Sequence, residues 1–133
     1  MPQKEFPMDD HANRATIERL VAAINAADLD ALDRVFTDDV VLEWPQSRER
    51  IVGGENRREI YRRFPSLPKA SIKRITGSGD LWTLEADLDY GDGDPFLCVF
   101  LFEMRDGLIA KETAYWSKPF PAAEWRAPWV ERM

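Results

Sequence analysis

The chain has 133 residues, of which 44% are hydrophobic and 32% charged, and its formal net charge is −6. That length supports one domain with a single buried core, and the composition is typical of a soluble globular protein. The negative charge argues against nucleic acid and anionic membrane as partners, because both need a basic surface. We see no apolar run long enough to span a bilayer and no signal-peptide core.

The chemistry-bearing residue types give few simple signals. Cys98 is the only cysteine, so no intrachain disulfide is expected, which fits a reducing cytoplasm. His11 has no second ligand at metal spacing, and we predict neither a metal nor a cofactor. Basic residues cluster at 48–50, 57–58 and 62–63, with acidic residues beside them. These clusters are typical of a solvated helix face.

The N-terminal half reads as a tail followed by helices. Residues 1–9 hold two prolines and are interpreted as a tail. Across 12–27, apolar residues recur at three- and four-residue steps and predict an amphipathic helix. Asp28 is a suitable N-cap for a second, short helix. The residues that these two helices are expected to bury are Ile17, Leu20, Val21, Ile24, Leu32, Val35 and Phe36.

The chain then changes from helix to strand. Residues 40–44 are β-branched and apolar, which predicts a strand that Pro45 ends. Residues 46–54 are interpreted as a loop, and 55–64 as a third helix with Ile60 and Phe64 facing inward. Two prolines after that helix stop it.

The C-terminal half alternates strands with turn residues. The predicted strands are 70–76, 81–90, 96–105 and 108–118, and Asp106-Gly107 supplies the tightest turn. Helices followed by a run of hairpin strands predict an α+β domain, with the helices on one face of an antiparallel sheet. Residues 119–133 form a C-terminal segment of this single domain, 1–133.

The strand at 96–105 is apolar on both faces. One face should meet the helices, so the other must meet something else. We expect a homodimer through this outer sheet face, since related folds usually pair in this way. A C-terminal segment folded back over the sheet, with Trp125 and Trp129 docked there, is the alternative. The two faces are Cys98, Phe100, Phe102 and Met104, and Leu97, Val99, Leu101 and Glu103.

The last strand places a carboxyl group on an apolar face. By alternation, Glu112 shares its face with Ala110, Ala114 and Trp116. A carboxyl removed from water without a partner has a raised pKa, which suits a general acid or base. The alternative is a structural glutamate paired with an arginine or a tyrosine hydroxyl.

One segment indicates a family. Residues 19–44 read RLVAAINAADLDALDRVFTDDVVLEW, in which one helix ends, a short helix follows and the chain turns into a strand. This string resembles the start of the SnoaL-like, ketosteroid-isomerase-like branch of the nuclear transport factor 2 superfamily. The resemblance covers roughly 12–116. It implies a cone-shaped, cystatin-like fold, in which a curved antiparallel sheet wraps around three helices of the N-terminal half. A cone-shaped pocket is expected between them.

The resemblance also indicates which chemistry is missing. Ketosteroid isomerases use a tyrosine on the first helix, an aspartate base before a proline, and a protonated aspartic acid on a later strand. Those positions fall here on Leu20, on Trp44 and on or near Phe100, none of which can move a proton or bind an oxyanion. Steroid isomerisation by that mechanism is therefore rejected. We also find no match to the Asp–Arg–Asp set of limonene epoxide hydrolases, since Asp87 and Asp89 should lie on the outer face.

These expectations combine into a small-molecule protein. The predicted ligand is apolar, either ring-containing or acyl, and Glu112 is the candidate acid or base for cofactor-free isomerase, cyclase or hydrolase chemistry. Tyr61 either turns its hydroxyl into the cavity or packs on its helix. A non-catalytic binding module and a protein-interaction domain are the alternatives. The residues expected to bind the ligand are Leu20, Trp44, Tyr61, Phe100, Phe102 and Trp116.

Overall fold

Three helices and a six-stranded sheet make up the domain. The structure, a computed structural model, describes residues 5–133, with side chains from Asp9 onward. The helices are α1 (Glu5–Ala26), α2 (Leu29–Asp33) and α3 (Gly54–Arg63), and a short 3-10 helix spans Glu124–Trp129. The strands are β1 (Phe36–Trp44), β2 (Glu49–Val52), β3 (Lys69–Ser78), β4 (Leu81–Asp89), β5 (Phe96–Arg105) and β6 (Leu108–Ser117). The predicted α+β class and its three helices are confirmed.

The helical boundaries differ from the prediction at two points. Helix α1 begins at Glu5, so the predicted tail 1–9 is wrong from that residue on, and its first four residues lie outside the described part. Asp28 caps α2 as predicted, because its side chain accepts a hydrogen bond from the Ala31 backbone N–H at 3.0 Å. Phe36 is buried as expected, but it opens β1 and does not belong to α2.

The sheet is curved and unclosed, with the strand order β2-β1-β6-β5-β4-β3. Four of its neighbouring pairs are antiparallel, whereas β1 runs parallel to β6. The antiparallel prediction therefore fails at this one contact. Strand β2 occupies part of the predicted loop 46–54, and it pairs only with β1. The β1–β6 contact places Leu42 beside Glu112 at the centre of the sheet.

A bulge in β6 shifts which residues face the helices. Glu103 pairs with Lys111, whereas the next residue of β5, Met104, pairs with Ile109, so Ala110 is left without a partner in this ladder. Ile109 is fully buried and Ala110 is only half-buried. The predicted placement of Ala110 on the face of Glu112 is therefore wrong, because the extra residue interrupts the two-residue alternation.

Gly77 permits a close approach in the β3–β4 hairpin. Its φ is +155°, and a Cβ at this position would lie 2.5 Å from the Leu81 carbonyl oxygen and 2.7 Å from Trp82 atoms. We expect Gly77→Ala to lower the free energy of unfolding by about 2 kcal/mol, since backbone must move. Gly79→Ala is the matched control, because nothing lies within 4 Å of its added Cβ. Urea denaturation of both variants checks this, and equal losses would contradict it.

The outer face of the sheet is apolar and uncovered by the described chain. Leu97, Val99, Leu101 and Tyr115 are 38–44% exposed there. The C-terminal segment does not cover them as the alternative prediction required, since Trp125 and Trp129 are 75% and 80% exposed. Within the described residues, no helix has the length and apolar character needed to cross a membrane.

Candidate functional site

A cavity of about 450 Å³ lies between the helices and the inner face of the sheet. Its walls come from the end of α1, from α3 and the segment after it, and from strands β1, β4, β5 and β6. The two tryptophans predicted to stand in its wall do not fill it. The lining residues are Ile24, Trp44, Tyr61, Phe64, Leu67, Pro68, Leu88, Tyr90, Phe96, Cys98, Phe100, Glu112, Ala114 and Trp116.

Glu112 is the single carboxylate in this wall. It is 3% exposed and lies between Leu42 on β1 and Phe102 on β5, both of which are buried. Among the described residues its carboxyl makes no hydrogen bond or ion pair. Burial raises the pKa of Glu112 to about 7, against a smaller lowering by Arg57. The carboxyl therefore exchanges its proton near neutral pH, as a general acid or base must.

Arg57 was not expected at the site, because it belongs to a cluster interpreted as a solvated helix face. The exposed fraction of its side chain is 1%, and it forms an ion pair with Asp33 of α2. Its guanidinium lies 4.6 Å from the Phe36 ring centroid and 5.2 Å from that of Tyr61. Its buried Nε finds no hydrogen-bond acceptor among the described residues. Arg57 thus brings positive charge behind the cavity wall, and that charge acts on Glu112.

Tyr61 places a phenol in the same wall. Burial, together with the negative charge of Glu112, raises the pKa of Tyr61 far above its usual value, so the hydroxyl stays protonated. Its ring stacks on Phe64 with centroids 5.2 Å apart. Tyr61 thus borders the cavity and also packs beside its own helix.

Two further ionisable groups line the cavity, and both are neutral near pH 7. Burial raises the pKa of the Cys98 thiol to about 11, with a further contribution from Asp87. The pKa of Tyr90 is also raised, mainly by burial. Cys98 is buried and borders the cavity as well. Within the described part of the chain, no cluster of three or more His, Cys, Asp or Glu side chains could hold a metal ion.

Trp44 and Trp116 meet edge to face in the cavity wall, with centroids 5.7 Å apart and planes at 88°. Gln46 fixes the strand ends beside them. Its side-chain amide donates to the Trp116 carbonyl and accepts from the Trp116 N–H, each at 2.8 Å. This pair of bonds extends the contact of β1 with β6 beyond Pro45, which cannot donate a backbone hydrogen bond.

Five of the seven predicted site residues border the cavity: Trp44, Tyr61, Phe100, Glu112 and Trp116. Leu20 and Phe102 do not, since both lie in the core with 3% and 1% exposure. The expectation that Leu20 and Phe102 line the ligand site is therefore corrected: both pack inside the core. Ile24, one helical turn after Leu20, borders the cavity in its place.

Glu43 and Asp87 lie outside the cavity wall, and Asp87 was expected there. Glu43 forms ion pairs with Arg50 and Lys111, and these pairs hold its pKa below the usual value. Asp87 pairs with Lys73 across the outer face of the sheet. Glu43 and Asp87 are therefore each engaged with cations of the outer face and cannot assist Glu112.

The fold and this cavity agree with a known family. The family model of the SnoaL-like domain matches residues 17–112 of the chain. The matched region includes parts of both helical walls and ends at Glu112. The chain belongs to the SnoaL-like domain family. The SnoaL-like resemblance noted from residues 19–44 is thereby confirmed.

Solved structures support the same assignment. A nuclear transport factor 2-like protein of unknown function from Burkholderia xenovorans is 35% identical, with a TM-score of 0.84, and the match covers 95% of this chain and 98% of that one. A candidate ketosteroid isomerase from Kribbella flavida is 24% identical, with a TM-score of 0.84 and coverages of 92% and 90%. An LEH-like epoxide hydrolase from M. tuberculosis is 26% identical, with a TM-score of 0.70 and coverages of 80% and 84%.

Proposed function

We propose that this SnoaL-like protein binds a small, mainly apolar molecule in its cavity and acts on it by cofactor-free acid–base chemistry through Glu112. The ligand contains a ring or an acyl chain, because the wall is mainly apolar and Glu112 is the charged group that the structure describes in it. The observation that carries the proposal is a buried carboxyl without a protein partner that borders a cavity of about 450 Å³.

The cost of burying Glu112 supports a functional role. A carboxyl without a partner destabilises a core, most of all when it is ionised, and a leucine at this position would avoid that cost. Structural glutamates are usually retained with a hydrogen-bonded cation. Arg57, the cation whose charge acts on Glu112, is instead paired with Asp33. Glu112 is therefore left free to exchange a proton with a bound molecule.

The residues at the isomerase positions and the polar groups of the cavity wall narrow the reaction class. By the family resemblance, the donor and base positions of the isomerases fall on Leu20 and Trp44 and the second acid falls on or near Phe100, so we exclude that mechanism. Tyr61 is a protonated hydroxyl in the same wall and can donate a hydrogen bond to a ligand oxygen. One proton carrier and one donor suit an isomerase, cyclase or hydrolase step. The similarity to an epoxide hydrolase adds epoxides to the compounds worth testing.

Turnover of a compound panel tests the catalytic part. We expect an active compound among cyclic enones, aromatic polyketide analogues and epoxides, and a loss of roughly 10²–10⁴-fold in kcat in Glu112→Gln, the usual contribution of a general acid or base. Glu103→Gln is the control, because that exposed carboxylate lies outside the cavity wall. Equal activity of the Glu112→Gln variant and the wild type would refute the acid–base role.

A non-catalytic binding module is the second candidate. Apolar residues at all three isomerase positions favour it, since nothing then assists Glu112 as a second acid or base. Such a protein would hold a ligand for transport, sensing or protection. Stoichiometric, reversible binding without turnover is the result that would favour it over an enzyme.

We also propose that two copies pair through the outer sheet face. The exposed side chains Leu97, Val99, Leu101 and Tyr115 form a contiguous apolar patch on β5 and β6, larger than isolated surface residues would make. We expect Val99→Lys to convert a dimer into a monomer in light scattering, while Arg74→Ala, in an exposed ion pair on the edge strand, leaves it dimeric. A monomeric wild type would refute this pairing and leave the patch, with Trp125 and Trp129, to another protein.

A further inference from the structure

Half of the cavity wall is aromatic. Seven of the fourteen lining residues carry aromatic rings, so almost any position inside the cavity lies near a ring. Trp44 and Trp116 stand perpendicular to each other, and their ring faces therefore point in two directions. The face of an aromatic ring carries partial negative charge and attracts cations within about 6 Å. An aliphatic wall would enclose an uncharged ligand equally well, without this attraction.

The charges around the cavity do not balance. Asp33 and Arg57 neutralise each other, and Arg57 does not border the cavity. When Glu112 is ionised, the three groups Asp33, Arg57 and Glu112 together keep one net negative charge. The exposed fraction of the Arg57 side chain is only 1%, so it cannot turn outward to rearrange the pairing. The described residues place no cation on the cavity side of Glu112, so one positive charge there would balance the ionised carboxylate.

We propose that the natural ligand carries one tertiary or quaternary ammonium group beside its apolar body, with Glu112 as the counter-ion and the aromatic walls around the cation. This inference rests on the proposed binding function and names the chemical class of its ligand. A neutral ligand would leave Glu112 protonated or without a partner in a dry site. An anionic ligand would be repelled by the same carboxylate.

Binding of a cation should be linked to the protonation of Glu112. The other ionisable groups that face it are Arg57 and Tyr61 on α3 and, across the cavity, Tyr90 and Cys98. The pKa values of Tyr61, Tyr90 and Cys98 are raised, so these three groups stay neutral between pH 6 and 8. The parts of α1 and β1 that border the cavity contribute only apolar side chains. Glu112, with a pKa of about 7, is thus the group that titrates.

Phenyltrimethylammonium is the probe, because its charge does not change with pH. Its neutral match is tert-butylbenzene, which has the same shape with carbon in place of nitrogen. For a cation that binds only ionised Glu112, the affinity should rise about tenfold from pH 6 to pH 8. Titration calorimetry or ligand-observed NMR on the full chain measures this, and tert-butylbenzene should bind equally at both pH values.

Two variants sharpen the test. Glu112→Gln should weaken phenyltrimethylammonium binding at least tenfold and abolish its pH dependence, without weakening tert-butylbenzene. Trp116→Leu should lower the affinity for phenyltrimethylammonium about two- to fivefold more than the affinity for tert-butylbenzene. If tert-butylbenzene binds and the cation does not, or if Glu112→Gln binds the cation as well as wild type, the ammonium class is refuted and the apolar cavity stands. If neither compound binds, the proposed binding function fails as well.

Discussion

Glu112→Gln is expected to make the protein more stable above pH 7, by up to about 3 kcal/mol. The pKa of Glu112 rises from 4.5 when unfolded to about 7 when folded. Because the folded pKa is the higher one, the stabilising contribution is fully present below pH 4.5 and is lost as the pH rises through 7. The difference between the two pKa values corresponds to about 3 kcal/mol. Glutamine does not titrate, so the variant should not show this decline.

Urea denaturation of both proteins at several pH values from 4.5 to 8.5 measures the effect. The free energies of unfolding of the two proteins should diverge from pH 4.5 to a little above 7 and then run parallel up to pH 8.5. The surface carboxylates with lowered pKa values, such as Glu43 and Asp92, are present in both proteins and cancel in the difference. Glu103→Gln provides the matched control and should follow wild type. Parallel curves throughout would mean that Glu112 is hydrated or paired.

Arg57→Met is expected to destabilise the fold by about 3 kcal/mol. Removing one partner of a buried ion pair leaves the other charge poorly compensated, which typically costs 3–5 kcal/mol. We place the effect at the low end, because the Asp33 side chain is 30% exposed and can regain water. Methionine keeps part of the aliphatic stem, but it loses the guanidinium that lies over Phe36 and Tyr61.

Arg58→Met is the matched control, since Arg58 is the next residue of the same helix, is only half-buried and forms no ion pair within the described chain. We expect a change within about 0.5 kcal/mol there, as for most surface substitutions. The Arg57→Met variant should also raise the pKa of Glu112 further, because Arg57 lowers it. Equal stability of the two variants in thermal or chemical denaturation would contradict a structural role for the Arg57–Asp33 pair.

Local patterns predicted most of the fold. The bounds of β5 match because ten alternating or apolar residues are followed by Asp106-Gly107, and both signals are local. Strand β2 was missed because Ile51 is its only buried residue, so the segment has no apolar alternation. Its pairing is supplied by β1, whose own strand character is clear in the sequence.

The site was only partly predictable. Two-residue alternation placed Glu112 and Trp116 on the cavity face, because β6 is regular from Lys111 onward. Leu20 was chosen because the tyrosine position of the ketosteroid isomerases falls on it, and helical periodicity does not indicate how far along α1 the cavity begins. Arg57 was missed because its partner Asp33 is 24 residues away in the chain. Its neighbours are solvated arginines, so only the tertiary packing sets it apart.

Ligand-induced thermal stabilisation tests the central proposal, an open ligand cavity that contains Glu112, most directly. The screen compares wild type with Ala114→Trp, whose new ring would fill space between Glu112 and Trp116 in the cavity wall. A ligand at about a hundred times its Kd adds roughly 2.7 kcal/mol, which raises the Tm of a domain of this size by several degrees. We predict such a rise for an apolar ring compound in wild type and none in Ala114→Trp. Equal rises in both proteins, or no rise across steroids, terpenoids, aromatic polyketides, acyl chains and aryl ammonium compounds, would contradict a ligand site in this cavity.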